Sequence, residues 1–318
     1  MSKIILITGA SSGIGAITAK YLSDKGFTVY GTSRQPKKEH SDYHMLALDV
    51  QDKSSIDTAV QTIIEKEGRL DVLINNAGMG ITGPIEETPT EEMRRVFDTN
   101  FFGAIEVMKS VLPYMRKQNT GLIINVTSIA GYMGLPFRGI YSATKGALEI
   151  VTETLSMEAQ QFNIRVTNVA PGDFATNIAS GRYHTPVFKD SAYAEIYQKN
   201  LDLMDGHVDS GKDPVLMAQQ IFKIINDPKP KLHYKVGEFM QKFSIVLKRV
   251  LSVDGRFYGK LLLVLKCEIA GETQRKELQA SHVCTKKPLT AGIYGRSLQT
   301  FLMQTTFYCT GKRRGPAL

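Results

Sequence analysis

An alternation of apolar runs and amphipathic stretches organises residues 1–251 and limits the folds this chain can adopt. Each run is short and rich in β-branched residues, and a helical pattern follows most of them. The runs are 4–8, 28–32, 44–48, 72–75, 122–126 and 165–169. Runs that are apolar almost throughout are typical of parallel strands, because helices cover both faces of such a sheet. The pattern therefore predicts an α/β fold with a doubly wound parallel sheet, whose ligands gather at the carboxyl ends of the strands.

The first predicted strand ends in a glycine-rich turn, Thr8-Gly9-Ala10-Ser11-Ser12-Gly13-Ile14-Gly15, and a helical pattern follows at once. The glycines let the backbone turn sharply and approach a pyrophosphate without a Cβ clash. A helix that begins there presents free N–H groups and the positive end of its dipole to an anion. An ordinary strand-to-helix turn is the alternative, but the place of this turn after the first strand favours a dinucleotide site. We therefore predict cofactor contacts from Gly9, Ser11, Ser12, Gly13, Ile14 and Gly15.

The end of the second predicted strand indicates which dinucleotide binds. NAD-selective proteins place a carboxylate there for the ribose 2′-hydroxyl, whereas this chain has Ser33 followed by Arg34. A guanidinium can hold a 2′-phosphate through a forked, charge-assisted hydrogen bond. We therefore expect NADP(H) rather than NAD(H), with Ser33 and Arg34 as contacts. Alternatively, Arg34, Lys37 and Lys38 form a solvated loop face, and the two lysines are the weaker phosphate contacts.

Tyr141 and Lys145 stand four residues apart in Tyr-Ser-Ala-Thr-Lys, and Ser128 precedes them at the end of a predicted strand. Residues i and i+4 share one face of a helix, so the ammonium of Lys145 can lie near the phenol. A free tyrosine titrates near pH ~10, and a neighbouring cation favours the phenolate that a base requires at neutral pH. This spacing is also common on solvated helices, but the upstream serine and the glycine-rich turn favour a catalytic set.

With these motifs in this order, the chain resembles the classical short-chain dehydrogenases/reductases, particularly hydroxysteroid dehydrogenase-like, retinol dehydrogenase-like or carbonyl reductase-like members. The resemblance covers roughly residues 3–180 and includes Asn75-Asn76-Ala77-Gly78, the adenine contact Asp49-Val50, the helix asparagine Asn100, and the Pro171-Gly172 segment. It implies a Rossmann fold with catalytic residues Asn100, Ser128, Tyr141 and Lys145. The further cofactor contacts that it implies are Asp49, Val50, Asn76, Ala77, Gly78, Tyr141, Lys145, Pro171, Gly172, Phe174 and Thr176.

The resemblance also implies a reaction. Tyr141 would exchange a proton with the oxygen of an alcohol or carbonyl while hydride moves to or from the nicotinamide, and Ser128 would hydrogen-bond the same oxygen. Lys145 would bind the nicotinamide ribose, and Asn100 would serve a proton relay through a held water. These four residues favour an oxidoreductase. The alternative is a non-catalytic NADP-binding regulator or scaffold, which needs only the cofactor site.

Residues 174–213 correspond to the segment that covers the substrate in this family. Many of them are apolar or aromatic, and so are several residues after Ser128, which favours a small lipophilic alcohol or carbonyl as substrate. Alternatively, these side chains simply pack the lid. His184 and His207 have no partners at metal-ligand spacing, so we expect polar surface there and no metal. The helical patterns at 93–116 and 140–162 correspond to the pairing helices of the family's homodimers and homotetramers, and we expect one of these assemblies.

The segment from residue 252 departs from the family's pattern. It holds 11 Lys and Arg against 4 Asp and Glu, so it carries +7 of the whole-chain net charge of +8, and it contains all three cysteines. We predict an NADP-binding catalytic domain over 1–251 and a basic, poorly ordered extension over 252–318. The alternatives are a lid or docking extension, a basic arm for acidic membranes or nucleic acid, and a sequence never selected to fold.

Compartment and partners are predicted from missing patterns. No run approaches the roughly 18 apolar residues of a membrane span, and the amino terminus lacks the pattern of a secretory signal peptide. Cysteine spacing fits neither a disulfide framework nor a zinc site, and no basic patch is interleaved with aromatic residues. We therefore expect a cytoplasmic protein with neither a membrane nor a nucleic-acid partner.

Overall fold

A computed structural model describes residues 2–36, 42–174, 181–208 and 212–237, together with Ile245; at 203 and 205–208 it describes the backbone only. All of these residues belong to one compact unit, Met1–Ser252. Lys37, Lys38, Thr176 and the extension predicted over 252–318 lie outside the described residues. The division into a domain over 1–251 and an extension therefore stays a prediction.

The described residues form nine strands. They are β1 (Ile4–Ile7), β2 (Thr28–Ser33), β3 (His44–Ala47), β4 (Val72–Asn75), β5 (Ile81–Thr82), β6 (Gly121–Val126), β7 (Ile164–Pro171), β8 (Tyr183–His184) and β9 (His233–Val236). Seven of them make a parallel sheet in the order β3-β2-β1-β4-β6-β7-β9, and β5 pairs with β8 in a separate two-stranded sheet.

Strand order reverses direction at the centre of the sheet. The chain moves outward from β1 to β3 on one side and from β4 to β9 on the other. The reversal lies between β1 and β4, where Ile5 pairs with Val72 and Ile7 with Ile74. Loops that leave the carboxyl ends of two such strands separate and form a crevice for ligands. The predicted doubly wound sheet is confirmed, and the six predicted runs correspond to six of its seven strands; β9 is an addition.

The described residues form seven α-helices, which are α1 (Gly13–Asp24), α2 (Lys53–Glu67), α3 (Thr90–Phe97), α4 (Gly103–Gln118), α5 (Gly139–Ala159), α6 (Ala194–Val208) and α7 (Val215–Asn226). Five of them, α1, α2, α4, α5 and α7, cover the two faces of the seven-stranded sheet. Alternate strand residues point to opposite faces. Leu6, Leu73 and Ile123 pack under α2, α4 and α5. Ile5, Ile74 and Ile124 pack under α1 and α7. Both faces are therefore buried, which explains the nearly continuous apolar runs.

The helix predicted over 93–116 is interrupted. After α3 comes a π-helical turn, Asp98–Phe102, and α4 follows it directly. A π turn contains an extra residue and changes the direction in which the following side chains point; such turns are frequent at functional sites. Asn100 is buried within this turn. The other correction is small: the helix predicted over 140–162 is α5 followed by a 3₁₀ turn, Gln160–Phe162.

Candidate active site

The turn between β1 and α1 has the geometry of a phosphate cradle. Gly9 has φ +67°, and a Cβ on it would lie 2.9 Å from the Cα of Ala77. A Cβ on Gly15 would lie only 2.2 Å from the carbonyl oxygen of Gly9. Ser12 precedes α1 in an extended conformation and makes no side-chain cap hydrogen bond. The amino-terminal N–H groups of α1 are therefore available to an anion, and the cofactor contacts assigned to this turn stay predictions.

A clasp of hydrogen bonds joins the carboxyl ends of β1 and β4. The hydroxyl of Thr8 accepts from the backbone N–H groups of Asn76 and Ala77, at 3.0 Å each. The side-chain amide of Asn76 donates to the carbonyls of Thr8 and Gly9, again at 3.0 Å. Three predicted cofactor contacts, Gly9, Asn76 and Ala77, therefore meet at the point where strand order reverses. Thr8 was not among the predicted residues, although its place as the last residue before the glycine turn could have suggested it.

The residues predicted to contact the adenosine half lie at the next two strand ends. The Leu48 N–H donates to the Ser33 carbonyl at 3.0 Å, which joins the ends of β2 and β3. The Ser33 hydroxyl accepts from the Gln35 N–H at 3.1 Å, and Arg34 is exposed. Asp49 turns the chain by accepting from the Gln51 N–H at 3.0 Å. The residue that follows Ser33 is thus an arginine rather than an acid, and it is accessible to a ligand.

Val50, the residue after Asp49, is buried against the helix that follows the π turn. A Cβ on Gly103 would lie 2.8 Å from a methyl carbon of Val50. The absence of a side chain at Gly103 therefore lets α4 approach the end of β3 closely. This contact fixes the predicted adenine segment against the element that carries Asn100.

Asn100 ties the π turn to the end of β4. Its side-chain oxygen accepts from the Met79 N–H at 2.8 Å, and its amide donates to the Met79 carbonyl at 2.9 Å. The amide also donates to the Thr144 hydroxyl at 3.2 Å. A Cβ on Gly78 would lie 3.1 Å from the Asn100 oxygen and 3.4 Å from the Lys145 ammonium. Gly78, Asn100 and Lys145 are thus brought together, although they are far apart in the sequence.

Lys145 is buried beneath the end of β6. Its ammonium donates to the Val126 carbonyl at 3.0 Å, and the side chain is only 5% exposed. Burial disfavours the charged form, which lowers the pKa of Lys145 to about 8. Tyr141 lies one turn earlier on α5 and is half-buried. The guanidinium of Arg138 lies 5.6 Å from the centroid of the Tyr141 ring, within cation-π distance.

Ser128 begins a 3₁₀ turn, Ile129–Tyr132, and its hydroxyl accepts from the Ala130 N–H at 3.1 Å. Two glycines let this turn approach α5. A Cβ on Gly146 would lie 2.9 Å from the Gly131 carbonyl, and a Cβ on Gly131 would lie 3.0 Å from the Gly146 nitrogen. The segment carrying Ser128 therefore packs directly against the helix of Tyr141 and Lys145. These glycines were not predicted, because only the tertiary contact explains them.

The end of β7 reaches the same edge of the sheet. The Gly172 N–H donates to the Val236 carbonyl at 2.7 Å, so β9 holds the Pro171-Gly172 segment. The Phe174 side chain packs with the apolar cluster under α1 and α7. Thr176, the last predicted cofactor contact, lies outside the described residues. Its assignment and those of Pro171, Gly172 and Phe174 stay predictions.

The predicted lid is anchored as well as apolar. Its strand β8 pairs with β5, and the buried Tyr197 of α6 donates to the Thr82 carbonyl at 3.1 Å. The Tyr197 ring packs on Phe137 at 5.1 Å. Phe188 and Ile196 remain exposed. Part of the lid therefore packs on the domain, while other apolar side chains face outward.

The two lid histidines are placed differently by the structure. The ring of His184 lies 3.0 Å from the Thr82 hydroxyl. The side chain of His207 lies outside the described ones.

Two searches of the described residues concern other kinds of site. Among them, no three His, Cys, Asp or Glu side chains come together as a metal ion would require. In the same ranges, no helix has the length and apolar character needed to cross a membrane.

The chain matches the short chain dehydrogenase family over residues 3–186. It is 44% identical over 240 residues to the 3-ketodihydrosphingosine reductase of Bacteroides thetaiotaomicron, covering 75% of this chain and 89% of that protein. An uncharacterised Bacillus subtilis oxidoreductase, YusZ, is 36% identical over 252 residues, covering 74% and 89%. The chain therefore belongs to the short-chain dehydrogenase/reductase family and is an oxidoreductase of that family.

Solved structures agree with this assignment. A short-chain dehydrogenase from Streptomyces avermitilis superposes with a TM-score of 0.71 at 32% identity, covering 79% of this chain and 94% of that one. The structure of ElxO with NADP bound superposes with a TM-score of 0.61 at 28% identity, covering 74% of this chain and 96% of that one. The family resemblance stated from the sequence is thus confirmed, and so is the Rossmann fold.

Proposed function

We propose that this protein is an NADP(H)-dependent oxidoreductase that interconverts a carbonyl and an alcohol on a lipophilic substrate, with Tyr141 as the general acid and base. The observation that carries the proposal is the convergence of Gly78, Asn100 and Lys145 behind the first turn of α5, next to the turn of Ser128. A protein that only bound a dinucleotide would need the cradle but not this second set of residues.

The cofactor side of the proposal rests on close approaches in the cradle. The spaces at Gly9 and Gly15 would be closed by any Cβ, and the start of α1 has free N–H groups. Arg34 is exposed at the end of β2, where it can reach a 2′-phosphate. The bound NADP of ElxO supports the same choice over NAD(H). When bound, the nicotinamide supplies or accepts the hydride.

The chain itself moves the proton and positions the oxygen. The Tyr141 hydroxyl gives a proton to the carbonyl oxygen during reduction and takes it back during oxidation. Ser128 donates a hydrogen bond to the same oxygen and fixes its position. At neutral pH, Lys145 is mostly protonated, since its pKa is about 8. Its ammonium stabilises negative charge on the phenol oxygen of Tyr141. Asn100 holds the backbone of Met79, the residue after Gly78, in place.

The substrate part of the proposal rests on the lid and on a relative. Exposed Phe188 and Ile196 lie on the predicted lid, and the half-buried Tyr183 lies on β8 within it. Exposed apolar side chains near a site are typical of ligand-binding surfaces, which favours a substrate with a hydrocarbon chain. The Bacteroides thetaiotaomicron relative is a 3-ketodihydrosphingosine reductase. We therefore choose 3-ketodihydrosphingosine as the first ketone to test, and reduction as the first direction.

The proposed enzyme is a homodimer or homotetramer that pairs through α4 and α5. Ile150 and Met157 of α5 are each more than 60% exposed, and Phe102 at the start of α4 is more than half exposed. Apolar side chains on one helix face are stabilised by burial against a second copy. Sedimentation of the wild type and of Ile150→Glu tests this, because a charge on this face should shift the protein towards the monomer.

The experiment follows NADPH oxidation optically with 3-ketodihydrosphingosine, steroid, retinoid and short aliphatic ketones. Tyr141→Phe should lower kcat by about 10²-fold or more while NADPH still binds. Tyr114→Phe is the matched control. The Tyr114 hydroxyl of α4 donates to the side chain of Gln61 on α2, and this bond is exposed to solvent. Unchanged turnover in Tyr141→Phe would refute the acid–base assignment. NADPH binding without turnover on any ketone would favour the regulator or scaffold.

A further inference from the structure

A buried carboxyl lies next to the catalytic residues and has no part in the proposed reaction. Glu149 stands one helical turn after Lys145 on α5, and it is 5% exposed. An acidic side chain is almost never buried to this extent without partners. Its carboxylate accepts a hydrogen bond from the Thr127 hydroxyl at 2.9 Å. Thr127 immediately precedes Ser128.

The same carboxyl also contacts the other end of the serine segment. Tyr132, the last residue of the 3₁₀ turn that Ser128 begins, has a buried hydroxyl that interacts with Glu149 and lowers the pKa of its carboxyl. The ammonium of Lys235 lies 4.7 Å from the centroid of the Tyr132 ring. Glu149 therefore contacts the residues on both sides of Ser128, at the start and at the end of the segment 127–132.

Several charged groups face this carboxyl from the elements packed around it. On α5 itself these are Glu153, one turn after Glu149, and Lys145, one turn before it. The Lys145 ammonium donates to the Val126 carbonyl. On β9 the charged group is Lys235, and the neighbouring His233 lies 3.2 Å from Glu153. On β7, the neutral Asn168 donates to the Glu149 backbone carbonyl. One cation and one further carboxylate thus act on Glu149 with opposite signs.

Burial is the largest influence on the carboxyl and raises the pKa of Glu149 to about 7. The hydrogen bond from Thr127, the interaction with the Tyr132 hydroxyl and the charge of Lys235 lower this pKa, and Glu153 raises it. Both protonation states are therefore populated near neutral pH. As a carboxylate, Glu149 can accept from both hydroxyls; as an acid, one of its oxygens carries a proton and donates instead. The two states hold the serine segment differently.

We propose that Glu149 is a positioning residue for Ser128, and that the charge on its carboxyl makes substrate binding and turnover depend on pH. This inference rests on the proposed function, in which Ser128 orients the substrate oxygen. The carboxylate holds Thr127 and Tyr132 together and keeps the Ser128 hydroxyl directed at the substrate. Protonation releases one of these contacts and loosens the segment.

The test compares pH profiles of kcat and KM for the wild type, Glu149→Gln and Glu153→Gln, with saturating NADPH and a ketone that the wild type reduces. Glutamine has nearly the same shape as glutamate but cannot ionise. Glu153 is the matched control, because it lies one turn further along α5 and its side chain is 47% exposed. We expect an inflection in kcat/KM near pH 7 in the wild type, and none in Glu149→Gln. Glu153→Gln should keep the inflection at a somewhat lower pH, because the charge of Glu153 raises the pKa of Glu149. The KM for the ketone should rise about three- to tenfold in Glu149→Gln, because the loss of one hydrogen bond commonly weakens binding by about this factor.

A second variant separates positioning from a general loss of structure. Thr127→Val keeps the carboxyl and removes one hydrogen bond that lowers its pKa, so the inflection should move to higher pH rather than disappear. It also keeps the inference testable if Glu149→Gln fails to fold. Identical profiles in the wild type and Glu149→Gln, or an inflection that does not move in Thr127→Val, would overturn the inference alone. A wild type that reduces no ketone would overturn the proposed function, and the inference with it.

Discussion

Replacing Thr8 by valine should loosen the junction between β1 and β4. The two side chains have the same shape, but valine cannot accept the hydrogen bonds that Thr8 receives from the N–H groups of Asn76 and Ala77. A shielded N–H that loses its partner costs about 1–3 kcal/mol. Because Asn76 and Ala77 are half-buried, water can replace the lost hydrogen bonds only in part. We therefore expect the free energy of unfolding to fall by about 2–4 kcal/mol. Asn76 also holds the Gly9 carbonyl, so NADPH binding should weaken too.

Urea unfolding followed by far-UV circular dichroism measures this change, because the chain contains no tryptophan for fluorescence. Thr18→Val is the matched control. Thr18 is buried in α1, and its hydroxyl has no hydrogen-bond partner among the described residues, so the same substitution should leave stability unchanged or raise it. If Thr8→Val unfolded at the same urea concentration as the wild type, the clasp would not stabilise the junction and the reasoning would be refuted.

Three further outcomes follow from the site. Gly15→Ala should abolish NADPH binding in a fluorescence titration, because its Cβ would meet the Gly9 carbonyl at 2.2 Å; Gly134→Ala, where a Cβ meets nothing within 4 Å, should bind normally. Arg34→Ala should raise the KM for NADPH about tenfold or more and leave that for NADH nearly unchanged, which steady-state kinetics with both cofactors would check. In the cofactor-free protein, burial destabilises the charged form of Lys145 relative to the neutral form. Thermal unfolding should therefore show the wild type gaining stability relative to Lys145→Met as pH rises from about 8 towards 10.5, and a constant difference would contradict the shift.

Periodicity was sufficient for most of the sheet, but it failed at the edge. Five of the six predicted runs are buried at nearly every position and are mostly apolar. The sixth, His44–Ala47 at the opposite edge, is exposed or half-buried but still contains Met45 and Leu46. The strand that was missed, His233–Val236, is half-buried at every position and contains a histidine and a lysine. Its side chains meet partners on other elements, such as Glu153 and Tyr132. Nothing in the local pattern distinguishes such an edge strand from a polar loop.

The interruption at Asn100 escaped prediction for a related reason. The apolar spacing across 93–116 fits an uninterrupted helix, and the π turn inserts only one residue into it. The turn is held by bonds from Asn100 to Met79 and Thr144, which lie outside this segment. Family resemblance could name Asn100 as a site residue, but it could not supply these contacts.

By itself, the sequence determined the fold class, the glycine-rich turn after the first strand, and the four-residue spacing of Tyr141 and Lys145, because these depend on neighbours along the chain. Tertiary structure alone decided which distant residues meet. It placed Gly78 between Asn100 and Lys145, seated Gly131 against Gly146, and buried Glu149 beside Thr127. Such contacts depend on how far two elements can approach each other, and that distance is set by packing across the sheet rather than by any local pattern of residues.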